Sequence, residues 1–502
     1  MPVCHTVAER DLAKELDSVR PELSAAYLAA LPGARAAVLA RLWRGLVHEP
    51  LPWVADRAAG GGGITLRLAN GRRLHGPPSD PWTTGGAVGA VELDGVAYDH
   101  PARLLTALAV PGGERFAAEL DHGVASLALS RTAPCPAGPP TVPWEWEQRS
   151  PDGHPYHPGC RSRPGFSAAE QLAYAPEHRP VVGLRLAPVR NATVRGPWPP
   201  ELRDGDAVLI PAHPWQAEHV LTGLPLLPGP EAHPLLALRS LALDTRTHVK
   251  TALSTQLTSA VRDISAYSVD HALATSGVIE SVAGRLDGRL HIARTLAAAG
   301  AGTPDLAAVL RESPYAYAGP GEQVVPVAEL PSLLTHYGPR ARTERVVAFA
   351  RLALGVCLDL LDLGVAMEGH GQNLLAVVDA DGWARRLVYR DLADIRISPA
   401  RLRRHGFPPP PLTGRLLNDD PVALRRKVFG CLITGALGPL AGNAATLGAV
   451  LETAARDLPA TADLRALRTE RLPAKALTLM RLEPGSGDRW ALLPNPLADA
   501  RR

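Results

Sequence analysis

One stretch constrains this chain more than any other: an apolar run over residues 346–363, a glycine at 364, the polar loop Glu368-Gly-His-Gly-Gln-Asn373, and two strand-like segments joined by Asp381-Gly382. The run carries Arg351, Asp359 and Asp362, charges that a bilayer-spanning segment rarely tolerates. It reads as a core helix that Gly364 ends. Residues 374–378 and 386–390 read as the arms of an antiparallel hairpin, because an Asp-Gly pair favours a tight reversal. A hairpin brings its outer ends together. Asn373, just before the first arm, and Asp391, just after the second, are therefore expected at the cross-strand spacing of about 5 Å. Glu368 and His370 lie on the same loop.

A carboxylate, an amide oxygen and a second carboxylate form the hard-oxygen set that magnesium on nucleotide phosphates prefers. Glu368, Asn373 and Asp391 are thus candidate metal ligands, with His370 placed to touch a phosphate oxygen. A plainer reading is a polar surface turn beside an Asp-Arg pair. Protein kinases and aminoglycoside phosphotransferases hold magnesium with a similar Asn and Asp, which makes small-molecule phosphotransfer the rival function. A kinase also needs an acidic base near the start of that loop, where this chain has Gln372. A carboxylate nucleophile needs no base, being ionised at neutral pH. Attack of a carboxylate on ATP fits the missing base better.

A second polar segment is Lys250-Thr-Ala-Leu-Ser-Thr-Gln-Leu-Thr258. Read as part of a strand over 248–258, it puts Lys250, Ser254, Gln256 and Thr258 on one face. Thr258 is placed to cap a helix beginning near Ser259, whose N-terminus would attract phosphate, with Arg262 one turn in. The alternative is an edge strand with a solvated face and an ordinary cap. Upstream, His154-Pro-Tyr-His157-Pro-Gly-Cys-Arg161-Ser-Arg163 packs histidines and arginines into a proline-stiffened loop that suits a polycarboxylate or phosphate, or else is a connector with incidental charge. It lacks the acidic partner and the cysteine pair of a zinc site. His213-Pro-Trp215-Gln216 reads as packing.

At 502 residues the chain exceeds one core, so two or three lobes are expected. The fold class is α+β. Residues 8–47 have helical periodicity, which Pro21 and Pro32 should break into short helices, and residues 60–98 read as hairpins of a small sheet. Residues 133–164 read as ordered loop, with a domain boundary near 150. Strands are expected over 181–186 and 207–210, and beyond 300 helices dominate, interrupted by the one hairpin. With 53 basic against 50 acidic residues, the net charge of +3 argues against nucleic-acid or anionic-membrane partners. Cys4, Cys135, Cys160, Cys357 and Cys431 are scattered and read as reduced thiols. The first residues lack a signal-peptide apolar core, which favours the cytoplasm.

These segments, in this order, resemble the IucA/IucC family of siderophore synthetases, with further likeness at Lys475-Ala-Leu-Thr-Leu-Met-Arg481 and Asn495-Pro-Leu. The resemblance runs from about residue 150 to the end. It implies a cupped-hand architecture, often dimeric: a thumb over 1–150, fingers over 151–300 and a palm over 301–502 bearing a kinase-like hairpin. It implies that a carboxylate of citrate, or of a related acid or half-amide, becomes an acyl-adenylate from which an amine or alcohol displaces AMP. Arg239, Lys250, Ser254, Thr258, Arg262, His370, Gln372, Asn373 and Asp391 would then hold ATP, with Mg2+ at Glu368, Asn373 and Asp391. Lys250, Arg262 and His370 become the catalytic candidates, and His157, Arg161 and Arg163 the carboxylate-binding ones. Two departures stand out: Ala237 where the family tends to have a serine, and a short segment before residue 150.

Overall fold

A computed structural model describes residues 4–499 apart from 135, 137, 259 and 486. The expectations for Cys135 and Ser259 lie outside the described residues.

The chain starts with a helix over Val7–Val19, capped by the Thr6 hydroxyl, followed by a 25-residue helix over Ser24–His48. Pro32 does not break the second helix, contrary to expectation. An interior proline costs about 3 kcal/mol. Leu31, Val38, Leu39, Leu42 and Leu46 are all fully buried from this one helix, at roughly 1.5–3 kcal/mol each, which outweighs that cost. This helix also has the length and apolarity of a bilayer span. Its arginines are bonded inside the protein: Arg35 to Glu9 at 2.7 Å, Arg41 to the Cys160 sulfur at 2.8 Å, and Arg44 to the Pro81 carbonyl at 2.7 Å. A five-stranded antiparallel meander follows, beginning at Val54–Gly60 and ending at Val96–Tyr98, so the small sheet starts earlier than the alternation suggested.

Among the described residues the largest sheet has nine antiparallel strands. At its centre Thr247–Thr251 lies between Ser240–Ala242 and Ala307–Glu312. The strand expected over 248–258 is two strands in different sheets: after Thr247–Thr251 the chain turns at Ala252, and Leu253–Leu257 forms a separate ribbon with Ala260–Arg262. The helix expected near 259 begins at Ala266 instead, where the Ser265 hydroxyl accepts from Ser268 N–H. Thr258 therefore caps no helix. It sits at the ribbon tip with φ +54°, a left-handed conformation unusual for a β-branched residue.

The helix expected over 346–363 is the end of Pro339–Leu363, and Gly364 closes it with φ +111°. The hairpin is present, as Leu374–Val378 and Ala384–Tyr389 with Leu374 opposite Tyr389. It is not isolated. It forms the middle of a four-stranded sheet, with Gln323–Pro326 on one side and the parallel strand Leu290–Ile292 on the other. Gly382 turns the hairpin with φ +80°, and a Cβ there would stand 2.3 Å from the Tyr337 hydroxyl. One apolar core joins helices from both ends of the chain to this sheet, and a second lies against the nine-stranded sheet.

Candidate functional site

The hairpin delivers Asn373 and Asp391 together, as its register requires: Arg390 N–H donates to the Asn373 carbonyl at 3.0 Å. Both residues line a small pocket of about 20 Å³ with Lys250 and Arg311. Lys250 comes from the centre of the nine-stranded sheet. Its partner across the ladder is Val309, so Arg311, two residues along the same strand, shares its face. Lys250 Nζ lies 2.8 Å from each carboxylate oxygen of Asp391, and Arg311 is 3.5 Å from Oδ1. Burial pulls the Lys250 ammonium down to about 7, against the pull of Asp391. Burial opposes ionisation of Asp391, yet Lys250 and Arg311 hold its carboxyl well below the usual range.

The small pocket shares Lys250, Gln372 and Asp391 with a cleft of about 510 Å³. Thr258 and Arg262, from the ribbon, and Arg239 form one wall. Arg262 donates through Nε to the Leu257 carbonyl at 3.1 Å, and Arg239 donates to the Asp263 carbonyl at 2.8 Å. His370 faces the cleft neutral, lowered to about 4 chiefly by burial, with Nδ1 accepting from Gln372 N–H at 3.3 Å. Ser254 does not line the cleft, which corrects its assignment to the nucleotide. Because the strand breaks at Ala252, its hydroxyl turns to Asp305 at 2.6 Å and to Gln216 at 2.9 Å.

Glu368, the third expected metal ligand, bonds the Lys427 ammonium at 2.7 Å and the Lys475 ammonium at 3.2 Å. Despite burial these lysines hold it at about 2. Among the described residues no three His, Cys, Asp or Glu ligand atoms of the cleft come close enough to share an ion; the grouping that does is Glu170, Glu218 and His219, outside the cleft lining. Asp391 and Asn373 fit one side of a magnesium ion carried on nucleotide phosphates, while Glu368 stands apart from them, paired to Lys427 and Lys475.

The loop after residue 150 also contributes to the cleft, with His157, Arg161 and Arg163 all lining it. Arg163 donates to Glu177 at 2.8 Å and Arg161 to the Pro151 carbonyl at 2.7 Å, so both are partly engaged within the protein. Four buried polar atoms on cleft-lining residues have no hydrogen-bond partner among the described residues: Arg163 Nη1, His157 Nε2, Arg44 Nη2 and Ser162 Oγ. Buried donors left in this state suit an anionic ligand. His213 and Trp215 are packing groups, as expected; Trp215 stacks on Phe166 with centroids 4.9 Å apart.

Sequence reasoning missed Arg44, Arg311, Lys427 and Asp488. Arg311 had a signal in its alternation with Val309; Arg44 and Asp488 reach the cleft, and Lys427 reaches Glu368, only through tertiary packing.

Residues 143–332 match the IucA / IucC family, and residues 347–489 match a family described as ferric iron reductase FhuF-like transporter. A Staphylococcus aureus 2-[(L-alanin-3-ylcarbamoyl)methyl]-3-(2-aminoethylcarbamoyl)-2-hydroxypropanoate synthase is 23% identical over 335 residues, 51% of this chain and 53% of that protein. The citryl-spermidine/3,4-dihydroxybenzoyl-citryl-spermidine:spermidine ligase of Bacillus anthracis is 26% identical over 313 residues, 49% of this chain and 50% of that one. The chain thus spans about half the length of the curated relatives it matches. Among solved structures, the petrobactin biosynthesis protein AsbB from Bacillus anthracis superposes with a TM-score of 0.78 at 19% identity, covering 99% of each chain. ATP-bound aerobactin synthetase IucA from Klebsiella pneumoniae gives 0.69 at 18% identity, covering 92% of this chain and 99% of that one. Residues 143–332 are thus similar to the IucA / IucC family, and the chain shares its fold with AsbB over nearly its whole length.

Proposed function

We propose that the chain is an ATP-dependent synthetase that adenylates a carboxylate, citrate or a related polycarboxylate or half-amide, and condenses it with an amine or alcohol in siderophore or related biosynthesis. The observation that carries this reading is the Lys250–Asp391 pair in a cleft that is also lined by Arg239 and Arg262 and by the unpartnered donors of Arg163, His157 and Arg44. The family match and the ATP-bound state of the IucA relative support it.

Lys250, Arg239 and Arg262 bind the triphosphate, with Thr258, His370, Gln372 and Asn373 around it. Each cation about 4 Å from a phosphate charge contributes up to ~4 kcal/mol at an effective dielectric of ~20. Asp391 and Asn373 would hold Mg2+, which would supply positive charge to offset the charge that develops on pyrophosphate. The acid sits across the cleft on His157, Arg161 and Arg163, where guanidinium groups orient one carboxylate towards the α-phosphorus. That carboxylate attacks already ionised; the bond to pyrophosphate breaks and the acyl-adenylate forms. An uncharged amine or an alcohol then attacks the acyl carbon and AMP leaves. Catalysis in this scheme is positioning and charge stabilisation, which suits a site whose histidine is held neutral.

In the same reading, residues 1–150, 151–300 and 301–502 are the thumb, fingers and palm of a cupped hand, working in the cytoplasm as a homodimer. Hydroxylamine trapping tests the chemistry. With ATP, Mg2+ and a panel of citrate, succinyl half-amides and 2-oxoglutarate, at least one acid should yield a hydroxamate together with pyrophosphate. A phosphorylated product without a hydroxamate would favour the phosphotransferase alternative.

A further inference from the structure

Glu147 is fully buried and lies outside the lining of the cleft, yet its carboxylate gathers hydrogen bonds from three separate segments. Arg390 donates to it in bidentate fashion, Nη1 at 2.7 Å and Nη2 at 2.6 Å. The Tyr315 hydroxyl donates at 2.6 Å and Leu236 N–H at 3.2 Å. The next residue, Gln148, donates to the Pro234 carbonyl at 3.0 Å. One short turn, Pro143–Gln148, is thereby clamped both to the segment 234–236 and to the end of the hairpin.

Those two segments lead directly into the cleft. Arg239 stands three residues beyond Leu236, and Asp391 directly follows Arg390. Arg390 also donates to the Gln372 carbonyl at 3.1 and 2.9 Å, fixing the loop that carries His370. Both lead-in segments contain a non-glycine residue in the left-handed region, Leu238 with φ +63° and Asp391 with φ +66°. Such conformations persist only where surrounding contacts hold them, and the bonds of Glu147 are such contacts.

We infer that Glu147 is a positioning residue for the nucleotide end of the cleft, holding the Arg239 segment and the Asp391 end of the hairpin in mutual register. This rests on the nucleotide reading above. The competing role is purely structural: a counter-charge that keeps Arg390 buried without setting the geometry of the cleft.

The two roles separate in the kinetics of Glu147→Gln, which keeps the side-chain shape and removes the charge. Steady-state pyrophosphate release is measured against ATP and against the acid separately, alongside calorimetric binding of α,β-methylene-ATP and thermal unfolding. A positioning role predicts a KM for ATP raised about 10-fold or more, a parallel loss of analogue affinity, and a KM for the acid unchanged within about 2-fold. A lowered melting temperature with unchanged ATP KM and analogue affinity would overturn it. Tyr315→Phe leaves the ion pair and removes one bond. It should weaken the analogue by about 2- to 5-fold, and it decides the matter if Glu147→Gln does not fold: unchanged affinity there overturns the inference. Wild-type protein that binds the analogue but releases no AMP would sink the adenylation chemistry while leaving Glu147 testable by binding.

Discussion

Lys250 Nζ sits 2.8 Å from both carboxylate oxygens of Asp391, so one ion pair ties the centre of the nine-stranded sheet to the end of the hairpin. The two residues are 141 positions apart in sequence. The pair lines both the small pocket and the cleft, and joins a cationic sheet face to an acidic hairpin end.

Asp391→Asn should reduce AMP formation by at least 100-fold and raise the Mg2+ concentration needed for half-maximal rate. It also leaves Lys250 buried without its carboxylate. Breaking a buried pair costs about 3–5 kcal/mol. Asp391 is 29% exposed and Lys250 can lose its proton, so about 1–3 kcal/mol is expected in denaturant unfolding. Near-normal turnover in folded Asp391→Asn would remove this residue from the site.

Glu368→Gln separates the lysine-partner role of Glu368 from a metal-ligand role. It should lower stability by about 1–3 kcal/mol, because the buried Lys427 loses its nearest carboxylate. The half-maximal Mg2+ concentration should stay within about 2-fold of wild type. A Mg2+ requirement raised about 10-fold or more would return Glu368 to the metal.

Glu329→Gln reads out a buried carboxyl. Burial pushes Glu329 up from 4.5 to about 7, and its Oε1 has no hydrogen-bond partner among the described residues. Between these values the folded state binds a proton that the unfolded chain has released, so this group destabilises the fold as pH rises from 4.5 to 7. At about 1.4 kcal/mol per pKa unit, the rise from 4.5 to about 7 corresponds to about 3–4 kcal/mol. Buried histidines such as His154 and His48, lowered to about 3 and about 4, run the other way, so the readout is variant minus wild type. The variant should gain stability relative to wild type between pH 5 and pH 8; a difference that does not change with pH would contradict the burial argument.

Gly435→Ala tests the seat of His370. Gly435 lies on a π-helical turn, Ile433–Leu437, and a Cβ there would stand 2.8 Å from His370 Cβ. The histidine must shift, which should raise the ATP KM about 10-fold with little change in unfolding temperature. An unchanged KM would show that His370 does not touch nucleotide.

The hairpin was legible because its information is local. Gly364 ends a helix, Asp381-Gly382 reverses a strand, and antiparallel geometry then forces Asn373 beside Asp391. The ribbon after Ala252 was not legible, since an alternating polar and apolar pattern is the same in one long strand and in two strands of different sheets. The helix assigned after Thr258 failed because a threonine before small residues suits a cap and a turn alike. The lysine pairing of Glu368 was hidden for another reason. Its partners Lys427 and Lys475 lie 59 and 107 residues away, and only tertiary packing shows that its charge is already compensated. The continuous Ser24–His48 helix shows apolar burial overriding proline, a balance visible only once the packing face is known.

The most direct test of the central claim is the fate of ATP. Purified protein incubated with Mg2+, ATP and the acid panel, analysed by anion-exchange chromatography and 31P NMR, should form AMP and pyrophosphate in equal amounts and only when a substrate acid is present. Acid-dependent formation of ADP, or no nucleotide turnover with any acid and amine, would contradict it.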